Sequence, residues 1–100
     1  MKNLQEVIET IKEHYPYLKT NFGLKKIGVF GSVAQNTNNP KSDIDLVVEF
    51  EQPLGFRFVE FVQYMEKILQ SKVDVLTVDG IKNIRVKRVA SRIQKEIVYV

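Results

Sequence analysis

Residues 27–50 read IGVFGSVAQNTNNPKSDIDLVVEF. An apolar run closes on Gly31-Ser32, a polar excursion follows, and a second apolar run opens with Asp43-Ile44-Asp45. Ten residues separate Ser32 from Asp43. Short, β-branched runs bounded by glycine, asparagine and proline predict two strands. Side chains alternate along a strand, so Asp43 and Asp45 share one face with Cα atoms roughly 7 Å apart, while Ile44, Leu46 and Val48 line the other. Two carboxylates about 4 Å apart repel by about 4 kcal/mol at an effective dielectric near 20. A divalent cation turns that repulsion into binding, and hard cations such as magnesium take oxygen ligands. The plain alternative is a polar strand entrance facing water.

The first strand covers Lys25 to Phe30, and a single helical turn from Gly31 to Gln35 follows it. Ser32 suits an amino-terminal cap, and a glycine beside it lets a ligand approach the backbone closely. Amides at such a turn favour phosphate. Asn36, Asn38, Asn39 and Pro40 make a loop, and the second strand runs from Asp43 to Phe50.

Before this unit, Leu4, Val7, Ile8, Ile11 and Leu18 follow helical spacing. Pro16 is expected to break that helix near His14-Tyr15 or to start a second piece, with Gly23 as its end cap. His14, the only histidine, is read as structural or solvent-facing. After the unit, Phe58, Phe61, Val62, Met65, Ile68 and Leu69 form the core stripe of a further helix. Lys72 to Val78 (KVDVLTV) is a third strand. A full helix between the second and third strands is what a parallel crossover needs, whereas the shorter link between the first two allows an antiparallel pair. Ile81 to Gln94 reads as one basic helix, and Ile97 to Val100 as a short edge strand.

The 100 residues fit one domain, 1–100, with no repeat, linker or low-complexity segment. No cysteine is present, which excludes disulfides, zinc thiolates and thiol chemistry. No apolar run reaches a membrane span and MKNLQEVIET lacks an apolar signal core, so the expected location is the cytoplasm, with no membrane partner. The net charge is +3, and Lys82, Arg85, Lys87, Arg88, Arg92 and Lys95 fall in a stretch with no acid before Glu96. A solvated helix face, phosphate contacts or an acidic partner surface would each account for it. Nucleic acid ranks last, because no aromatic residue interleaves the basic positions to stack on bases.

Asp74 stands between Val73 and Val75, where an unpaired charge is costly and calls for a partner or an ion. Lys72 or Lys41 could serve as that partner. If the third strand instead lies beside the second, Asp74 shares a face with Asp43 and Asp45. Three carboxylates beside a glycine-serine turn describe a two-metal phosphoryl or nucleotidyl transfer site.

Gly31-Ser32, the ten-residue spacing, Asp43-Ile44-Asp45 and Asp74 in VDVL together resemble the signature of minimal nucleotidyltransferases of the DNA polymerase β superfamily. The resemblance covers nearly the whole chain, to the closing EIVYV. It implies an α/β (α+β) nucleotidyltransferase fold, a mixed sheet of three to four strands flanked by helices. It further implies Asp43, Asp45 and Asp74 as catalytic metal ligands for two Mg2+ ions, and Gly31, Ser32, Gln35, Asp43 and Asp45 around ATP, the nucleotide donor. Many relatives of this size are MntA-like antitoxins that silence an all-helical HEPN ribonuclease toxin by adding AMP to a tyrosine. The family commonly carries arginine and glycine where this chain has Gln35 and Asn36. Asparagine can take glycine's left-handed conformation, but glutamine lacks arginine's charge. Intact Asp43, Asp45 and Asp74 favour an enzyme acting on a partner protein. Gln35 favours the alternative, a weak or inactive module of the same fold that neutralises its partner by contact.

Overall fold

A computed structural model describes residues 3–35 and 43–100. In chain order the elements are α1 (Leu4–Phe22), β1 (Leu24–Phe30), α2 (Gly31–Ala34), β2 (Ile44–Phe50), α3 (Arg57–Leu69), β3 (Val73–Thr77), α4 (Val78–Lys82), α5 (Lys87–Glu96) and β4 (Val98–Tyr99). The four strands form one mixed sheet in the order β3-β2-β1-β4. β1 is antiparallel to both β2 and β4, and β2 is parallel to β3. The crossover between β2 and β3 therefore holds a full helix, as expected, and the closing strand lies at the edge. No helix among the described residues is long and apolar enough to cross a membrane.

α1 opens on a capping box, in which Asn3 Oδ1 accepts from the Glu6 amide at 2.9 Å and the Glu6 carboxylate accepts from the Asn3 amide. It ends at Gly23, which is left-handed. Contrary to the expected break, Pro16 sits inside the helix. Interior proline removes one hydrogen bond and costs about 3 kcal/mol. Leu18 and Phe22 continue the buried face of Val7 and Ile11 beyond it. Burying two such side chains contributes roughly 3–6 kcal/mol, so packing outweighs the proline, whose own side is exposed.

α1 and α3 bury their stripes against one face of the sheet: Val7, Ile11, Leu18 and Phe22 meet Phe61, Met65 and Leu69 over Ile27, Val29, Ile44, Leu46 and Val48. Phe61 is edge-on to Phe22 and Phe50 at centroid distances of 5.4 and 5.0 Å. His14 is half-buried with Nδ1 3.0 Å from the Tyr64 hydroxyl, a structural role. The other face carries Asp45 and Val47, and is approached by α4, whose Ile81 is buried.

The single basic helix expected over Ile81 to Gln94 is two. Thr77 Oγ1 accepts from the Gly80 amide at 2.9 Å and starts α4 at Val78. Asn83 ends it after Lys82, and α5 begins at Lys87. Asparagine competes for backbone hydrogen bonds, and β-branched Ile84 and Val86 gain little from helix, which accounts for the gap.

Candidate active site

The strand register builds the site. Phe30 is the partner of Asp45 across β1 and β2, and Asp74 is its partner across β2 and β3. One row across the sheet thus runs from the last residue of β1 through Asp45 to Asp74. The row lies where β2 and β3 begin and β1 ends, so Gly31 adjoins it directly. Gly31 has φ +72, and a Cβ built there would fall 2.2 Å from Asp45 Oδ2. Glycine is what lets the α2 backbone touch this carboxylate.

Asp43, expected as the first residue of the second strand, is exposed and lies one residue before β2 begins. Asp74 is also exposed, contrary to the desolvation expected there, because β3 is an edge strand. The cost falls on half-buried Asp45 instead. Burial first, then the charges of Asp74 and Asp43, push its carboxyl up to about 6. Asp45 therefore senses both other carboxylates. Among the described residues Lys72 forms no ion pair with Asp74, and Lys41 lies outside those residues. Ser32 is not the cap: Phe30 holds that position without a side-chain hydrogen bond, and Ser32 stands inside α2, half-buried. Gln35 is exposed at the end of α2, its amide bonded to the Gly31 carbonyl at 3.2 Å. The loop with Asn36, Asn38, Asn39 and Pro40 lies outside the described residues.

The nucleotidyltransferase domain family matches residues 6–100. This chain belongs to that family. It is accordingly a transferase enzyme. It is 38% identical, over an alignment of 103 positions that covers 100% of both chains, to a provisionally named protein adenylyltransferase of Methanocaldococcus jannaschii. It is 33% identical to the protein adenylyltransferase MntA of Thermococcus cleftensis, covering 100% of this chain and 98% of that one. A minimal nucleotidyltransferase of known structure superposes with a TM-score of 0.72 at 23% identity, over 97% of this chain and 95% of that one. A toxin–antitoxin structure with AMP-PNP superposes at 0.63 and 22% identity, over 98% and 72%. These likenesses match the nucleotidyltransferase fold to the mixed sheet and its flanking helices.

The all-oxygen donor set of Asp43, Asp45 and Asp74 fits a hard divalent cation chemically, and the raised Asp45 carboxyl marks negative charge that a cation would relieve. Among the described residues no three acidic or histidine side chains already stand at ligating distance of a single ion, so side-chain rotation must complete any such set. Sequence reasoning missed Glu66. Its carboxylate accepts from the Val73 amide at 3.3 Å and ties α3 to the start of β3, one residue before Asp74. No sequence pattern links positions 66 and 73, because the contact depends on how the turn between them folds.

The position of Gln35 yields a prediction. An arginine there would meet triphosphate from an exposed site, so Gln35→Arg is expected to tighten ATP binding about fivefold at low salt, with the gain shrinking as salt rises. Isothermal titration at two ionic strengths measures this. Unchanged affinity would show that position 35 faces away from the nucleotide.

Proposed function

We propose that this chain is a magnesium-dependent protein adenylyltransferase that moves AMP from ATP to a tyrosine hydroxyl of a HEPN-type toxin, and so acts as an antitoxin. The observation that carries the reading is the register of Asp45 with Asp74 beside the Gly31 turn. The relatives named protein adenylyltransferase and the fold shared with a toxin–antitoxin structure holding AMP-PNP support the donor and the kind of partner. Asp43, Asp45 and Asp74 would hold magnesium, which supplies charge neutralisation and Lewis acidity at the phosphates. Gly31 and Ser32 offer backbone at the start of α2 to the phosphates, and Gln35 lies at the end of that turn. Asp74, open to solvent, would orient the incoming hydroxyl. In the transfer the tyrosine oxygen bonds to the α-phosphorus, the bond to the bridging oxygen breaks, and pyrophosphate leaves as the phenol gives up its proton.

A second reading, neutralisation by contact alone, is favoured by uncharged Gln35. One experiment separates them. The chain is incubated with ATP, magnesium and the protein encoded by the neighbouring reading frame, and intact masses are recorded. The partner is expected to gain one or more AMP units, and Asp43→Ala to prevent it. A tight complex with no added mass would favour the contact reading.

A further inference from the structure

α5 is built unlike the other long helices. α1 and α3 each bury a stripe, whereas α5 buries no residue. Ten residues are too few to hold a helix in water by backbone hydrogen bonding alone, since most helical stability in proteins comes from packing an apolar face. Yet Val86 at its cap is 53% exposed and Val89 is 44% exposed, and Ile93, next along the same stripe, is only half-buried. Among the described residues, the packing that would secure α5 is incomplete.

Its remaining surface is basic. Arg88, Ser91, Arg92, Lys95 and Glu96 stand at i, i+3, i+4, i+7 and i+8, one face of a helix, and line an open depression of about 300 Å³. The single ion pair on α5 among the described residues joins Arg92 Nε to Glu96 at 3.3 Å, with Arg92 still 76% exposed. Arg88 and Lys95 have no acidic partner among those residues. Such a row attracts negative charge, and the valines beside it add an apolar edge that phosphate or sugar would not use.

Location gives the surface its meaning. α5 touches α2, whose first residue abuts Asp45, and β4, which follows α5, pairs with β1 close to Phe30. α5 is therefore a neighbour of the turn that abuts the central carboxylate of the row.

We infer that α5 docks an acidic, amphipathic helical segment of the acceptor protein, its carboxylates on Arg88, Arg92 and Lys95 and its small apolar side chains on Val86 and Val89. The inference takes from the proposed transfer only that the docked protein is the acceptor. Docking completes the packing of α5 and brings the acceptor beside that turn, while charge complementarity sets approach rate and orientation. A nucleic-acid backbone is the less fitting occupant, because α5 offers no aromatic platform for bases and Glu96 interrupts its charge.

The test uses the full chain without nucleotide, so that docking is read independently of catalysis. The probes are a labelled peptide with glutamates at helical spacing opposite a leucine–valine stripe, a scrambled peptide of identical composition, and a short oligothymidine. Fluorescence anisotropy at low salt is expected to rank the amphipathic peptide at least about tenfold tighter than either other probe, with affinity falling as salt rises. Arg88→Glu/Lys95→Glu is expected to lose at least about tenfold for that peptide while keeping the melting shift produced by magnesium and ATP, which also shows that the variant is folded. Val89→Ser is expected to weaken the amphipathic peptide and leave the scrambled one unchanged. Amide exchange in residues 86–96 should slow when the peptide binds. Oligothymidine binding as tightly as the peptide, equal binding of the two peptides, or undiminished binding by the double variant would each overturn the inference. So would loss of the magnesium–ATP shift in a folded double variant, since α5 would then be a phosphate site. Peptide binding as expected, with no AMP ever transferred to any acceptor, would leave the docking face standing and remove the proposed reaction.

Discussion

Gly31→Ala is expected to reduce AMP transfer at least about hundredfold and to lower the melting temperature by roughly 5–10 °C. Two costs coincide at this position. The backbone is left-handed at φ +72, which costs an L-residue about 1–2 kcal/mol. The new methyl would also fall 2.2 Å from Asp45 Oδ2 and 3.1 Å from its Cγ. Asp45 cannot retreat with its backbone, because β2 is paired on both sides at that residue, to Phe30 and to Asp74. The carboxylate must rotate away instead, and a reacting group displaced by an ångström costs on the order of hundredfold in rate. Differential scanning fluorimetry with and without magnesium and ATP, beside a turnover assay, separates the two costs. A lower melting temperature with turnover intact would mean that Asp45 acts equally well from another rotamer.

Legibility followed the range of the interactions involved. The β1–α2–β2 unit could be read because glycine punctuation and the alternation of Ile44, Leu46 and Val48 are local, and their register follows from which face is apolar. The parallel pairing of β2 with β3 could be read from the length of the helix between them. Three features depended on contacts the local pattern does not contain. Pro16 looked like a breaker because the burial of Leu18 and Phe22 that outweighs it is tertiary. Asp74 looked buried because its neighbours are valines, but nothing local shows that β3 is an edge strand, exposed on one side. Ser32 looked like a cap because serine commonly is one, whereas the cap of α2 lies two residues earlier, at Phe30, and the chain enters through left-handed Gly31. The split between α4 and α5 did have a local signal, since Asn83 stops α4 and Thr77 caps its start. Basic residues on both sides of the gap hid it.

Asp45→Asn is expected to stabilise the metal-free protein while abolishing its chemistry, and the opposition of these two effects makes the variant decisive. The Asp45 carboxyl titrates at about 6 in the folded chain against an ordinary 3.8. Between those values the folded state holds a proton that the unfolded state has released, so stability falls as pH rises through the window and is lowest above it. The side chain is only half-buried and solvent screens its neighbours, which reduces the penalty at pH 7 to about 1 kcal/mol. Asparagine carries no charge to desolvate. The variant should therefore melt roughly 4–8 °C higher than wild type at pH 7 without metal, and the difference should shrink as pH falls to about 4. Magnesium and ATP should raise the wild-type melting temperature and leave that of the variant unmoved, because the carboxylate proposed to hold the cation at the centre of the row is gone. AMP transfer should drop at least about thousandfold, the scale on which loss of one essential catalytic group is felt. Melting curves at pH 4, 5, 6 and 7, with and without magnesium and ATP, read the stability and binding effects, and a turnover assay reads the transfer. An equal magnesium–ATP shift in both proteins would remove Asp45 from the site. A variant no more stable than wild type at pH 7 would show that Asp45 carries no electrostatic strain for a cation to relieve.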